Sequence, residues 1–133
     1  MNLPNSELVA AARAARENSY SPFSDYRVGA AIQGADGRIW AGTNVEFVSF
    51  GLCICAERSA IAKMVSEGGR KISAVAVVTK DGATPCGMCR QSLLEFAPDP
   101  EKVLVWVVSE SGSTKQYTLS ALLPYGFLSQ EVK

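Results

Sequence analysis

Four cysteines stand in two close pairs, Cys53 with Cys55 and Cys86 with Cys89, in a chain that contains no histidine. The missing imidazole excludes Ser-His-Asp hydrolysis, Cys-His catalysis and every zinc site that needs a histidine ligand. A catalytic metal here is therefore held largely by thiolates. Cys86 and Cys89 follow Pro85, and residues i and i+3 in a first helical turn point the same way, so the two can chelate one ion. Cys55, at the start of another helix, makes a third ligand. Three protein ligands leave the fourth tetrahedral position of zinc open, and water there reaches a pKa near ~7 and supplies hydroxide. Glu57, two residues beyond Cys55, is placed to reach that water and carry its proton. Two helix N-termini aimed at one point favour negative charge and so help to hold three deprotonated sulfurs. Arg58 and Arg90 each directly follow a key residue and can offset the excess charge by hydrogen bonds to sulfur.

The same residues admit plainer readings. Cys-x-x-Cys alone is more often structural zinc or redox chemistry, and Cys53 with Cys55 could complete a closed four-cysteine site that needs no Glu57. Cys53 can equally be a buried free thiol. Arg58 and Arg90 taken singly read as surface charges.

The elements that must position these groups follow from local pattern. Pro4-Asn5 begins a capped helix over 6–17, with Leu8, Ala12 and Ala15 for its apolar stripe. Residues 18–25, rich in Ser and Pro, form a loop. Strands over 27–33 and 38–44 flank Gly34-Ala35-Asp36-Gly37, a hairpin signal. Residues 45–54 are loop-like yet apolar, with Phe47, Val48 and Phe50, which implies burial or an interface. Strong helix formers run over 55–67 and stop at Gly68-Gly69. The apolar run 72–78 reads as a strand covered on both faces. A second short helix spans 86–96, closed by Pro98 and Pro100. An apolar strand follows at 103–108, and the turn Ser111-Gly112-Ser113 leads to an antiparallel edge strand over 115–118. Thr118 is placed to cap a last helical turn before Leu123-Pro124. The order α, β, β, α, β, α, β, β with a little terminal helix predicts α/β architecture, a three-layer α/β/α sandwich around a five-stranded mixed sheet.

Bulk properties narrow the partners. A chain of 133 residues, 47% hydrophobic, can bury one proper core and reads as a single domain over 1–133. Nothing near the N-terminus resembles a signal peptide, and no apolar run approaches the roughly 18 residues of a membrane span, so the expectation is a cytoplasmic protein with no membrane partner. Thirteen basic and thirteen acidic side chains cancel and lie scattered, which argues against a nucleic-acid partner.

Cys55-Ala56-Glu57-Arg58 together with Pro85-Cys86-Gly87-Met88-Cys89-Arg90-Gln91 resembles the small, homotetrameric class of zinc-dependent cytidine deaminases. The likeness extends through Tyr20-Ser21-Pro22-Phe23-Ser24, Tyr26-Arg27-Val28-Gly29-Ala30-Ala31, Asn44-Val45-Glu46 and Leu122-Leu123-Pro124-Tyr125-Gly126-Phe127. The resemblance implies a cytidine deaminase-like fold, one zinc ion per chain, and hydrolysis of cytidine and 2′-deoxycytidine to the uridines with release of ammonia, a step of pyrimidine salvage. It implies Cys55, Cys86 and Cys89 as zinc ligands and Glu57 as the group that moves a proton from the zinc-bound water to N3 and then to the departing amine. It further implies that Asn44 and Glu46 bind the ribose 3′-hydroxyl, that Tyr26 and the Ala56 backbone contact the pyrimidine, and that Phe127 does so from a neighbouring subunit. On their own these residues read more plainly: Asn44 as a strand end, Glu46 as a solvated charge, Tyr26 and Phe127 as core.

One segment departs from the pattern. The family commonly continues Asn-Val-Glu with Asn-Ala-Ser-Tyr-Gly, whereas this chain has Phe47-Val48-Ser49-Phe50-Gly51. The exchange removes an amide at 47 and a phenol hydroxyl at 50, with consequences expected around the sugar or across a subunit interface. Two other functions compete: deamination of a related aminopyrimidine nucleoside or cytosine-containing antibiotic, and a structural zinc module closed by all four cysteines. Asn44 and Glu46 favour an ordinary sugar, and the module leaves Glu57, Arg58 and Arg90 unexplained.

Overall fold

A computed structural model describes residues 5–128. Helix α1 (Ser6–Arg16) begins at Asn5, whose side-chain oxygen accepts from the amides of Glu7 and Leu8, a cap worth about 1 kcal/mol. Pro4, the other half of the expected helix start, lies outside the described residues. Strands β1 (Gly29–Gly34) and β2 (Ile39–Thr43) form the expected hairpin, with Gly37 at φ 91° in its turn, a conformation that favours glycine. Then come α2 (Ala56–Ser66), β3 (Ile72–Thr79), α3 (Gly87–Glu95), β4 (Leu104–Ser109), β5 (Thr114–Thr118) and a single turn, α4 (Leu119–Leu122), capped by the Thr118 hydroxyl.

The five strands make one sheet in the order β2-β1-β3-β4-β5. Only β3 and β4 run parallel, joined through α3, and the remaining pairs are antiparallel. The short turn before β5 does produce an antiparallel edge. Helix α1 covers one face, where Leu8 and Ala12 pack on Ala31, Ala76, Val78 and Val108. Helices α2 and α3 cover the other, where Ala60, Met64 and Leu93 pack on Ile32, Val75, Val77 and Val105. The result is the three-layer α/β/α arrangement around a mixed sheet. Six of the eight residues of β3 in a row are buried, which is what central strands covered on both faces require.

Two local readings change. Strand β1 starts at residue 29 rather than 27, because the Val28 amide leaves the ladder and donates to the Asn44 side chain, while its carbonyl accepts from the Asn44 amide and the Thr43 hydroxyl. The apolar loop is not buried within the chain. A Val45–Ile54 bridge closes its base, while Val48, Phe50 and Leu52 stand 84%, 72% and 60% exposed.

Candidate active site

The parallel strands deliver the site. Loop 80–86 leaves the C-terminal end of β3, where ligands of open α/β sheets gather, and brings Cys86 to the N-cap of α3. From the hairpin side, the closed loop brings Cys55 to the N-cap of α2. Neither N-cap side chain caps its own helix, so both sulfurs remain available. Glycine at 42 lets α2 come this close: a Cβ there would lie 2.5 Å from the Ala60 amide nitrogen and 2.8 Å from Ser59 Cβ.

The sulfurs of Cys55, Cys86 and Cys89 all lie within 4.8 Å of one another. Three sulfurs about 2.3 Å from one zinc ion at tetrahedral angles stand about 3.8 Å apart. The Cys55–Cys86 separation is 3.8 Å and the Cys86–Cys89 separation 3.4 Å, so the donor set fits zinc with little movement. Cys53 is not in this group. Its sulfur instead accepts from the Phe47 amide at 3.4 Å, which argues against the closed four-cysteine module.

The surroundings of the cluster favour a thiolate. The Cys55 thiol is lowered to about 5, first by a hydrogen bond from Cys89 and further by Arg58, against opposing burial. Cys89 is pushed up, because it serves as that donor and is itself buried. Arg58 Nη2 reaches the Cys55 sulfur at 3.8 Å and the Cys53 carbonyl at 3.4 Å. Its buried Nε has no hydrogen-bond partner. Arg90 takes a different part from the one expected. It donates to the Pro85 carbonyl (2.7 Å), the Thr84 hydroxyl (2.8 Å) and the Leu122 carbonyl (2.7 Å), and so fastens the chain that carries Cys86 instead of hydrogen-bonding sulfur.

Glu57 is 4% exposed yet lines the adjoining cavity. Burial pushes its carboxyl up to about 7, with the neighbouring Cys55 thiolate adding to the shift. That cavity, of about 360 Å³, is also lined by Tyr26, Asn44, Glu46, Ala56, Val77 and Thr84. Its size is that of a small-molecule site.

Asn44 and Glu46 both hold the loop that closes the cavity. Asn44 Oδ1 accepts from Ser19 Oγ and the Val28 amide, and its Nδ2 donates to the Tyr26 carbonyl. Glu46 accepts from the Phe23 and Ser24 amides and from the Ser24 hydroxyl, which lowers its pKa. An amide can donate twice and a carboxylate can accept about four hydrogen bonds, so one donor of Asn44 and one acceptor of Glu46 remain. This joint role was hidden in the sequence, since its partners lie 16 to 25 residues away.

Phe127 is 79% exposed and does not line the cavity of its own chain. Gln91 pins its backbone on both sides, donating to its carbonyl and accepting from its amide. Phe47 and Phe50 also stay out of the cavity. Phe50 packs edge-on against Phe23, with ring centroids 5.9 Å apart.

Comparison with known proteins places the chain in one family. The model of the cytidine and deoxycytidylate deaminase zinc-binding region matches residues 4–106. A cytidine deaminase of Halalkalibacterium halodurans is 42% identical over 127 residues, covering 94% of this chain and 95% of that protein. A probable cytidine deaminase of Dictyostelium discoideum is 42% identical over 126 residues, covering 92% and 82%. Among solved structures, the cytidine deaminase of Burkholderia pseudomallei superimposes with a TM-score of 0.86 at 38% identity, covering 94% of this chain and all of that one.

Proposed function

The chain belongs to the cytidine and deoxycytidylate deaminase family, and from that premise we propose that it hydrolyses the 4-amino group of cytidine and 2′-deoxycytidine, giving the corresponding uridine and ammonia. The observation that carries this reading is a buried carboxylate beside three sulfurs spaced for one zinc ion, with Glu57, Cys55 and Cys86 lining a cavity of nucleoside size. Cys55, Cys86 and Cys89 would hold the zinc ion, which would supply Lewis acidity for the activation of water.

The chain's own residues do the rest. Glu57 takes one proton from the attacking water and delivers it to ring N3, then takes the remaining proton from the new C4 hydroxyl and gives it to the amine as the C4–N bond breaks, so that ammonia leaves and the carbonyl forms. A carboxyl held near neutrality by burial is suited to both giving and taking a proton at neutral pH. Arg58 offsets the charge of three thiolates, which would otherwise weaken the metal as a Lewis acid. Arg90 keeps Pro85 and Thr84 in place around Cys86. The Ala56 backbone and the Tyr26 ring flank the pyrimidine.

At the sugar, the remaining donor of Asn44 and acceptor of Glu46 match one hydroxyl, which both gives and takes a hydrogen bond. A 3′-hydroxyl is common to ribose and deoxyribose, so both nucleosides fit. A 5′-phosphate fits poorly. The charged residues of the cavity are Glu46, Glu57 and Arg58, and the one cation among them is engaged by Cys53 and Cys55. We further propose a cytoplasmic enzyme of pyrimidine salvage, assembled as a homotetramer in which Phe127 closes a neighbour's site. Exposed Phe127, Tyr125 and Leu128 on one segment and Val48, Phe50 and Leu52 on another supply the apolar surface for such contacts.

The test is ultraviolet absorbance of zinc-loaded protein with cytidine, 2′-deoxycytidine, 2′-deoxycytidine 5′-monophosphate and free cytosine. Conversion of the two nucleosides, with the nucleotide at least about tenfold slower and the base untouched, is expected. Equal conversion of the nucleotide, or conversion of free cytosine, would overturn the sugar-binding assignment.

A further inference from the structure

One contact beside the cavity is not used by the chemistry above. Tyr26 Oη donates to Asp81 Oδ1 at 2.6 Å, joining residues 55 apart in sequence. The two sit side by side where the chain enters β1 and leaves β3, since the register that pairs Gly29 with Val78 runs on toward them. Tyr26 comes from the segment that enters β1, and its carbonyl is held by Asn44. Asp81 sits in loop 80–86, the same short stretch that contributes Ala83, Thr84 and Cys86 to the cavity.

The loop presents Asp81 in a prepared position. Thr79, 3% exposed at the end of β3, accepts from the amides of Gly82 (2.7 Å) and Ala83 (3.1 Å) through its hydroxyl oxygen. Its hydroxyl donates in turn to Asp81 Oδ1 at 3.3 Å. Gly82 takes φ 74°, the left-handed conformation this tight turn needs. The phenol is thus hydrogen-bonded to a carboxylate oxygen already fixed by its own loop. Phenol-to-carboxylate bonds of about 2.5–2.7 Å are charge-assisted and roughly twice as strong as neutral ones.

We infer that Asp81 is a positioning residue of this enzyme: through the Tyr26 hydroxyl it clasps the segment that enters β1 to the loop that leads to Cys86, and so fixes the aromatic ring where it lines the cavity. The inference rests on the deaminase reading for its substrate, though the clasp itself does not depend on which ring fills the gap. Because neither Tyr26 nor Asp81 moves a proton in the reaction, the contact governs how well substrate is held more than how fast the bond breaks.

The experiment is a double-mutant cycle with Tyr26→Phe, Asp81→Ala and the double variant, read in steady-state kinetics with cytidine and in thermal midpoints. Each single variant is expected to raise KM about fivefold, the worth of one hydrogen bond, with a smaller change in kcat and the double variant no worse than either single one. Asp81→Asn keeps an oxygen that can accept from the phenol and is expected to recover most of the loss seen in Asp81→Ala. Unchanged KM in both single variants, additive losses in the double variant, or an Asp81→Asn variant as impaired as Asp81→Ala would overturn the proposal. A wild-type protein that turns over no cytidine would refute the deaminase reading. The midpoints would still decide the clasp, since the bond requires their effects to be coupled and independent effects would exclude it.

Discussion

Three cysteines and a glutamate are legible at the residue scale because their geometry is local. Cys86 and Cys89 share one helical turn, and Cys55 and Glu57 share another, so spacing alone aims each pair. Cys53 is the test of that logic, being close in sequence but turned toward the Phe47 amide. Cys53→Ser is expected to retain one zinc per chain, whereas Cys86→Ser should lose it at chelator concentrations the parent withstands. Metal analysis after dialysis against a graded chelator reads the difference, and zinc loss from Cys53→Ser would restore the four-cysteine site. Arg90 shows where local reasoning stops. Adjacent to a ligand, it looked like a partner for sulfur, but its acceptors are the oxygens of Thr84, Pro85 and Leu122, the last from a segment 32 residues away. Asn44, Glu46 and Asp81 likewise draw their meaning from contacts across the fold, and no spacing announces them.

Among the elements, patterns of burial were readable and their exact limits were not. The apolar run of β3, the Gly-bounded hairpin and the capped starts of α1 and α4 all follow from residue type. The start of β1 depends on a side chain from the far strand, which sequence periodicity does not register. The seat of α2 on the sheet depends on a missing Cβ at residue 42. Gly42→Ala would press on the α2 backbone at Ser59 and Ala60, moving the helix that carries Cys55 and Glu57. Overpacking of this kind costs about 1–3 kcal/mol, so the thermal midpoint should fall and zinc affinity with it. Gly37→Ala, whose Cβ would meet nothing within 4 Å but whose φ is 91°, should lower the midpoint while leaving zinc affinity alone. Calorimetry with a zinc titration separates the two; equal zinc affinity in both variants would mean that α2 is not seated by Gly42.

For the molecule as a whole, the sequence exposed the architecture but not what covers its outer surface. The loop bearing Phe47 to Phe50 read equally as buried or interfacial, and the exposure of Val48, Phe50 and Leu52 sets aside burial within the chain. Gln91, two residues beyond Cys89, pins the backbone of the exposed Phe127, an arrangement consistent with the proposed sharing of that ring between subunits. Phe127→Ala is therefore expected to raise KM for cytidine with zinc content unchanged. Mixing it with a Glu57→Gln chain should restore part of the lost affinity, since hybrid assemblies place an intact Phe127 over an intact Glu57. Sedimentation of the mixture checks assembly, and kinetics that match the simple sum of the two variants would contradict a shared site. The central claim, a zinc site whose proton carrier is Glu57, is tested most directly by cytidine turnover of wild-type and Glu57→Gln protein at equal, measured zinc. The account predicts one zinc per chain in both and turnover lower by about 10³-fold or more in the variant, in line with the loss of a general acid–base. Turnover in Glu57→Gln within about tenfold of wild type would contradict it.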